Sequence, residues 1–145
     1  YNLGAKNISR VKKTFRLLLI CCVSGSFLIW LICMTLPNTV ASIFTSDAAL
    51  ITYTNKSMRV YLAMLFIYGI QVACQYSFVA LDQAPKAIFL TIWRKIIILI
   101  PLIFILPQFV PNAVMGVYLA EPIADTIAVC TTAPMFYSYY RKLKC

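Results

Sequence analysis

The chain has 145 residues, 62% of them hydrophobic, with four acidic side chains, thirteen Lys and Arg, no histidine and a net charge of +9. A soluble domain of this size could not hide so much apolar surface, whereas lipid is a solvent for it, so the composition excludes an ordinary globular protein. The positive charge does not indicate nucleic acid: basic residues fall at the ends of apolar runs rather than forming one patch with interleaved aromatics.

The six cysteines (Cys21, Cys22, Cys33, Cys74, Cys130 and Cys145) make no C-x-x-C pair. With no histidine they do not read as a structural zinc site, and within apolar runs a cysteine behaves as a small hydrophobe. The chain opens on Tyr1-Asn2-Leu3-Gly4-Ala5-Lys6, which reads as the middle of a loop. The expectation is the C-terminal part of a longer protein.

Residues 1–13 read as a basic cytoplasmic loop, with Lys6, Arg10, Lys12 and Lys13. The first spanning helix is expected over 14–37; its apolar run Phe15–Leu36 is about 33 Å long, enough for a bilayer core of about 30 Å. Gly25, with Ser24 and Ser26, is expected to let a neighbouring helix approach closely, and Pro37 ends the run. Residues 38–57 read as an external loop with an amphipathic segment, in which Val40, Ile43, Phe44, Leu50 and Ile51 recur at helical spacing. Ser46-Asp47 has the look of a helix start.

The second span is expected over 58–81. Tyr61, Tyr68, Gln71, Gln75 and Asp82 fall at i, i+7, i+10, i+14 and i+21, a polar stripe on an apolar helix. A cytoplasmic turn follows at 82–87, Asp82-Gln83-Ala84-Pro85-Lys86. The third span is expected over 88–110. Its charge-free part, Ile96–Val110, is only about 22 Å long, so the helix must begin earlier and carry Arg94 and Lys95. Pro101 sits mid-span and predicts a kink. After an external turn at 111–113 the fourth span covers 114–140, ending in Tyr137, Tyr139 and Tyr140 as an interfacial aromatic belt. A cytoplasmic basic tail occupies 141–145. Eleven of the thirteen basic residues lie on one side of this arrangement, leaving Lys56 and Arg59 opposite. The count predicts four spans with both ends cytoplasmic, in a multi-pass protein of the cell membrane.

The fourth span carries the chemistry. Glu121 and Asp125 are four apart and share a helix face, with Pro122 between them. Ionisable groups in lipid usually face a bundle interior or a water-filled cavity, where this pair could bind or exchange a cation or a proton. Against that stands a packing role for Asp125 and simple solvation for Glu121, nearer the outer surface. Tyr68, Gln71 and Gln75 could line the same cavity or serve as interhelical hydrogen-bonding glue. Pro101 and Pro122 are candidate hinges or static bends. Arg94 is the obvious partner for Asp125, but depth argues against it: Arg94 lies about 12 Å above Lys86 and Asp125 about 24 Å above Arg141. Arg94 is therefore expected to snorkel to the cytoplasmic interface.

The sequence resembles the C-terminal part of multidrug and toxic compound extrusion (MATE) transporters. The residues concerned are Tyr1-Asn2-x-Gly4-Ala5-Lys6-Asn7 with Arg10-Val11-Lys12-Lys13, then Leu106-Pro107, then Gly116-Val117-Tyr118-x-Ala120-x-Pro122-Ile123-Ala124-Asp125. The resemblance implies an all-α integral membrane fold. The four helices would be about the ninth to twelfth of twelve, a partial C-terminal lobe resting in the bilayer against the remaining helices. It implies a secondary active antiporter that exports small organic, often cationic, compounds in exchange for Na+ or H+. Some branches carry a carboxylate in the tenth helix; here that position is Tyr68, with Gln71 after it, which leaves the coupling ion open. No cofactor, no nucleic-acid partner and no enzymatic activity are expected, and four spans alone are expected not to transport. Two other functions remain: a flippase for lipid-linked sugars on the same superfamily fold, which would want a more cationic cavity, and a non-transporting integral membrane protein. An enzyme would need convergent catalytic groups, against which the lack of histidine and the shortage of acids count.

Overall fold

A computed structural model describes residues 1–143 of the chain; Lys144 and Cys145 of the expected tail lie outside the described residues. The elements are α1 (Ile8–Thr35), α2 (Pro37–Ser42), α3 (Ala48–Tyr61), α4 (Leu65–Ala80), α5 (Ala84–Ile92), a π-helical stretch (Trp93–Leu99), α6 (Ile100–Phe109) and α7 (Ala113–Lys142). Three helices are long and apolar enough to cross a membrane: α1, the continuous Ala84–Phe109 helix and α7. The bent pair α3 and α4 makes a fourth if counted as one span.

α1 starts earlier than expected, at Ile8, because Asn7 caps it: its side chain accepts from the Arg10 N–H at 3.3 Å. Arg10, Lys12 and Lys13 are thus helical rather than loop, while Lys6 stays in the turn before the cap. Pro37 ends α1 and opens α2, where its missing N–H costs nothing. The close approach expected at Gly25 is made elsewhere. A Cβ on Gly25 would meet nothing within 4 Å, whereas one on Gly69 would lie 2.5 Å from the Cys22 carbonyl oxygen and 2.8 Å from Ser26 Oγ. The small residue that lets α1 and α4 touch is therefore on α4.

The 38–57 segment holds α2 and most of α3. Asp47 caps α3, accepting from the Ala49 N–H at 2.8 Å and the Leu50 N–H at 3.4 Å. Asn55 of α3 donates to Asn38 Oδ1 at 2.7 Å, tying the two helices together. The expected 58–81 span is not one straight helix. α3 and α4 meet at 51° across Leu62–Met64. With neither Pro nor Gly there, the break is stabilised from outside: the Trp30 indole N–H donates to the Ala63 carbonyl at 3.2 Å.

α1 packs on α4, α4 on α7, and α7 on the continuous helix that α5, the π stretch and α6 form. α4 and α7 run parallel, since Tyr61, just before α4, pairs with Tyr118 at one end and Phe78 with Phe136 at the other. The hydrophobic core lies at the basic end, around Phe78, Leu90 and Phe136, with Phe15, Tyr139 and Tyr140 packed against it. The expected aromatic belt is accordingly divided: Tyr137 is exposed, while Tyr139 and Tyr140 are part of this packing. At the far end α6 and α7 touch at Gly116, where a Cβ would come within 2.8 Å of Pro107 Cα.

Candidate functional site: a buried arginine between two carboxylates

Glu121 and Asp125 sit one above the other on α7, as a four-residue spacing requires. Pro122 between them lacks an N–H, which leaves the Tyr118 carbonyl without its helical donor. The helix nonetheless runs on through Pro122 and Pro134. Thr126 Oγ1 donates to the Pro122 carbonyl at 2.7 Å.

Facing them is Arg94, on the π stretch. Widening a helix to i→i+5 bonding re-aims the side chains it carries, and such stretches often occur at functional sites. The π stretch ends two residues before Pro101. Pro101 itself is exposed and away from the charged cluster.

Arg94 is 8% exposed and Asp125 6%. The Arg94 Nε–H donates to Asp125 Oδ1 at 2.7 Å, and Nη2 donates to Glu121 Oε1 at 2.7 Å. The guanidinium carbon lies 4.7 Å from the centre of the Tyr68 ring, a cation–π contact, and Nη1 reaches the Tyr68 hydroxyl at 3.5 Å. Lys95, half exposed, stands 3.5 Å from Glu121 Oε1. Two carboxylates thus face two cations, and one Arg joins three elements: the π stretch, α7 and α4.

This overturns the expectation that Arg94 snorkels away from Asp125. Counted from Lys86 and Arg141 the two residues fall far apart, but the pair the structure places level is Pro107 and Gly116, at the other end. Arg94 precedes Pro107 by 13 residues and Asp125 follows Gly116 by nine. Those counts give depths of about 20 and 14 Å, a gap of about 6 Å that an extended Arg covers. Glu121 is likewise paired, with 14% of its side chain exposed, rather than simply solvated.

A cavity of about 260 Å³ opens beside the cluster, lined by Tyr61, Leu62, Leu65, Tyr68, Arg94, Lys95, Glu121 and Asp125. The break between α3 and α4 places Tyr61, Leu62 and Leu65, on and beside it, in this lining. Among the expected lining residues Tyr68 is present; the two glutamines are not. Gln71 is 1% exposed, and among the described residues neither of its amide atoms has a hydrogen-bonding partner. Gln75 donates to Thr91 Oγ1 at 2.5 Å, bracing α4 against α5. Tyr61 and Lys95 were not singled out as lining residues. Tyr61 opens the polar stripe and Lys95 adjoins Arg94, so both signals were present.

A family model described as MatE matches residues 1–105. A solved structure titled as a ligand complex of the MATE multidrug transporter DinF-BH superposes with a TM-score of 0.85 at 31% identity, covering 95% of this chain and 30% of that one. Another, titled as the inward-facing conformation of a multidrug resistance MATE family transporter of the MOP superfamily, superposes with a TM-score of 0.86 at 15% identity, covering 98% of this chain and 33% of that one. The chain therefore spans about a third of the length of these structures. No curated protein matches it.

Proposed function

Since the chain belongs to the MatE family of multi-pass membrane transporters, we propose that it is the part of a secondary active antiporter that carries a coupling site, in a protein that exports organic, often cationic, compounds in exchange for Na+ or H+. The observation that carries this reading is the pair of carboxylates on α7, held in the bundle beside a cavity and paired with Arg94 and Lys95. Ionisable groups are kept in a membrane interior at a cost, and they mark ion and proton paths.

With both acids ionised, Arg94 locks the π stretch to α7 and leans on Tyr68. A proton on Asp125, or a Na+ at the acid pair, competes with the guanidinium for the same oxygens. Loading then frees an arm of Arg94 and loosens three helices together. A ligand shifts such an equilibrium only by its difference in affinity between the two states. Arg94 supplies that difference, because the loaded and unloaded sites need opposite positions of one cation. The basic end belongs in the cytoplasm of a cell membrane by the positive-inside rule.

The flippase reading gains one point: Arg94 and Lys95 both line the cavity. It loses it again because both reach Glu121, leaving no spare positive charge for a phosphate. The test is Asp125→Asn in the full-length protein. Ion-driven efflux is expected to fall while the amount of protein in the membrane holds; unchanged efflux would make Asp125 a packing residue only.

A further inference from the structure

We propose that the basic end of α1 and α7 forms a binding site for an anionic glycerophospholipid, its phosphate held by Lys12, Lys13 and Arg16 and an acyl chain laid in the adjoining groove. Two cavities meet there. One, of about 380 Å³, is lined by Lys12, Lys13, Arg16 and Tyr140. The other, of about 300 Å³, is an apolar slot between α1, α4 and α7 whose walls include Phe15, Leu19, Ile70 and Tyr137. Arg16 and Tyr140 line both, so the charged cleft adjoins the slot.

Among the described residues the charge at this place is uncompensated. Lys12, Lys13 and Arg16 lie within the second and third turns of α1, whose first turn has no acid. Three cations gathered within five residues repel one another. None of the three forms a salt bridge among the described residues. The chain's four acids are Asp47, Asp82, Glu121 and Asp125, and none lines either cavity. Lys12 Nζ is instead 5.5 Å from the Tyr140 ring centre, and the Arg141 guanidinium 5.9 Å from that of Tyr137. An anion is what this cluster lacks, and basic pockets between spans on the cytoplasmic side suit lipid head groups. A cationic transport substrate is excluded by the same charge. A free phosphate would leave the slot unused.

The test uses the full-length protein, with phosphatidylglycerol and phosphatidylcholine as probes and bound lipid counted by native mass spectrometry. The wild type is expected to retain phosphatidylglycerol in preference to phosphatidylcholine. The triple variant Lys12→Gln/Lys13→Gln/Arg16→Gln should weaken that retention on the order of a hundredfold, about fivefold per charge removed. Ala133→Leu, which fills the slot without changing charge, should weaken it too, and Lys56→Gln/Arg59→Gln at the opposite end should leave it unchanged. No preference in the wild type would mean that other helices of the protein cover the slot, and would overturn the proposal. So would inorganic phosphate displacing the lipid at equal concentration, undiminished retention in the triple variant, or an equal loss in the opposite-end variant.

Discussion

Arg94 is the residue on which the site turns. It is buried, shared by two carboxylates and stacked on an aromatic ring. Removing one partner of a buried ion pair strands the others, and typically costs about 3–5 kcal/mol. Arg94→Met should therefore lower the unfolding midpoint of the detergent-solubilised full-length protein clearly. Adding Glu121→Gln and Asp125→Asn should recover part of the loss, since the stranded charges go with it. Additive losses would show that the three do not act as a unit. At this scale the acids and their common face were legible, because a four-residue spacing on a helix is a local property. Their pairing with Arg94 was not. It depends on which residues of two helices lie level, and that is set by the packing of Pro107 on Gly116, which hydropathy does not report.

Among the elements, the helical runs follow from apolar length and caps: Asp47 is visible as an N-cap in the sequence and caps α3 in the structure. The breaks are less visible. The bend at Leu62–Met64 has no Pro or Gly to announce it and is stabilised by a side chain from another helix. The π stretch has only Pro101, just past its end, as a sign. Close approach is equally non-local: Gly25 looks like the small residue of a helix–helix contact, but Gly69 is the one in contact. The two glycines should therefore respond oppositely. Gly69→Ala would place a methyl against backbone, an overpacking worth about 1–3 kcal/mol of lost stability. Gly25→Ala should be neutral or stabilising by about 0.5–1 kcal/mol, since a helical Gly costs that much relative to Ala. Thermal unfolding of the two variants in detergent checks both, and equal effects would contradict the α1–α4 contact.

At the scale of the whole molecule, α1 buries no residue and presents Leu17, Ile20, Leu28 and Ile29 outward. The Ala84–Phe109 helix likewise exposes Ile88, Ile96, Ile100 and Phe104. Such faces belong against lipid or further helices, consistent with a chain that spans about a third of the structures it resembles. Vesicles containing residues 1–145 alone should show no ion-driven export, and export by them would contradict the view that the translocation path needs more helices. Coupling of an ion gradient to export is the role proposed for the acid pair on α7. It is tested most directly in proteoliposomes of the full-length protein, with Na+ and pH gradients imposed separately and export of a fluorescent organic cation recorded. The wild type should export under one of the two gradients. Glu121→Gln/Asp125→Asn should lose that response while still binding the cation, whereas a double variant that exports at the wild-type rate under the same gradient would contradict the account.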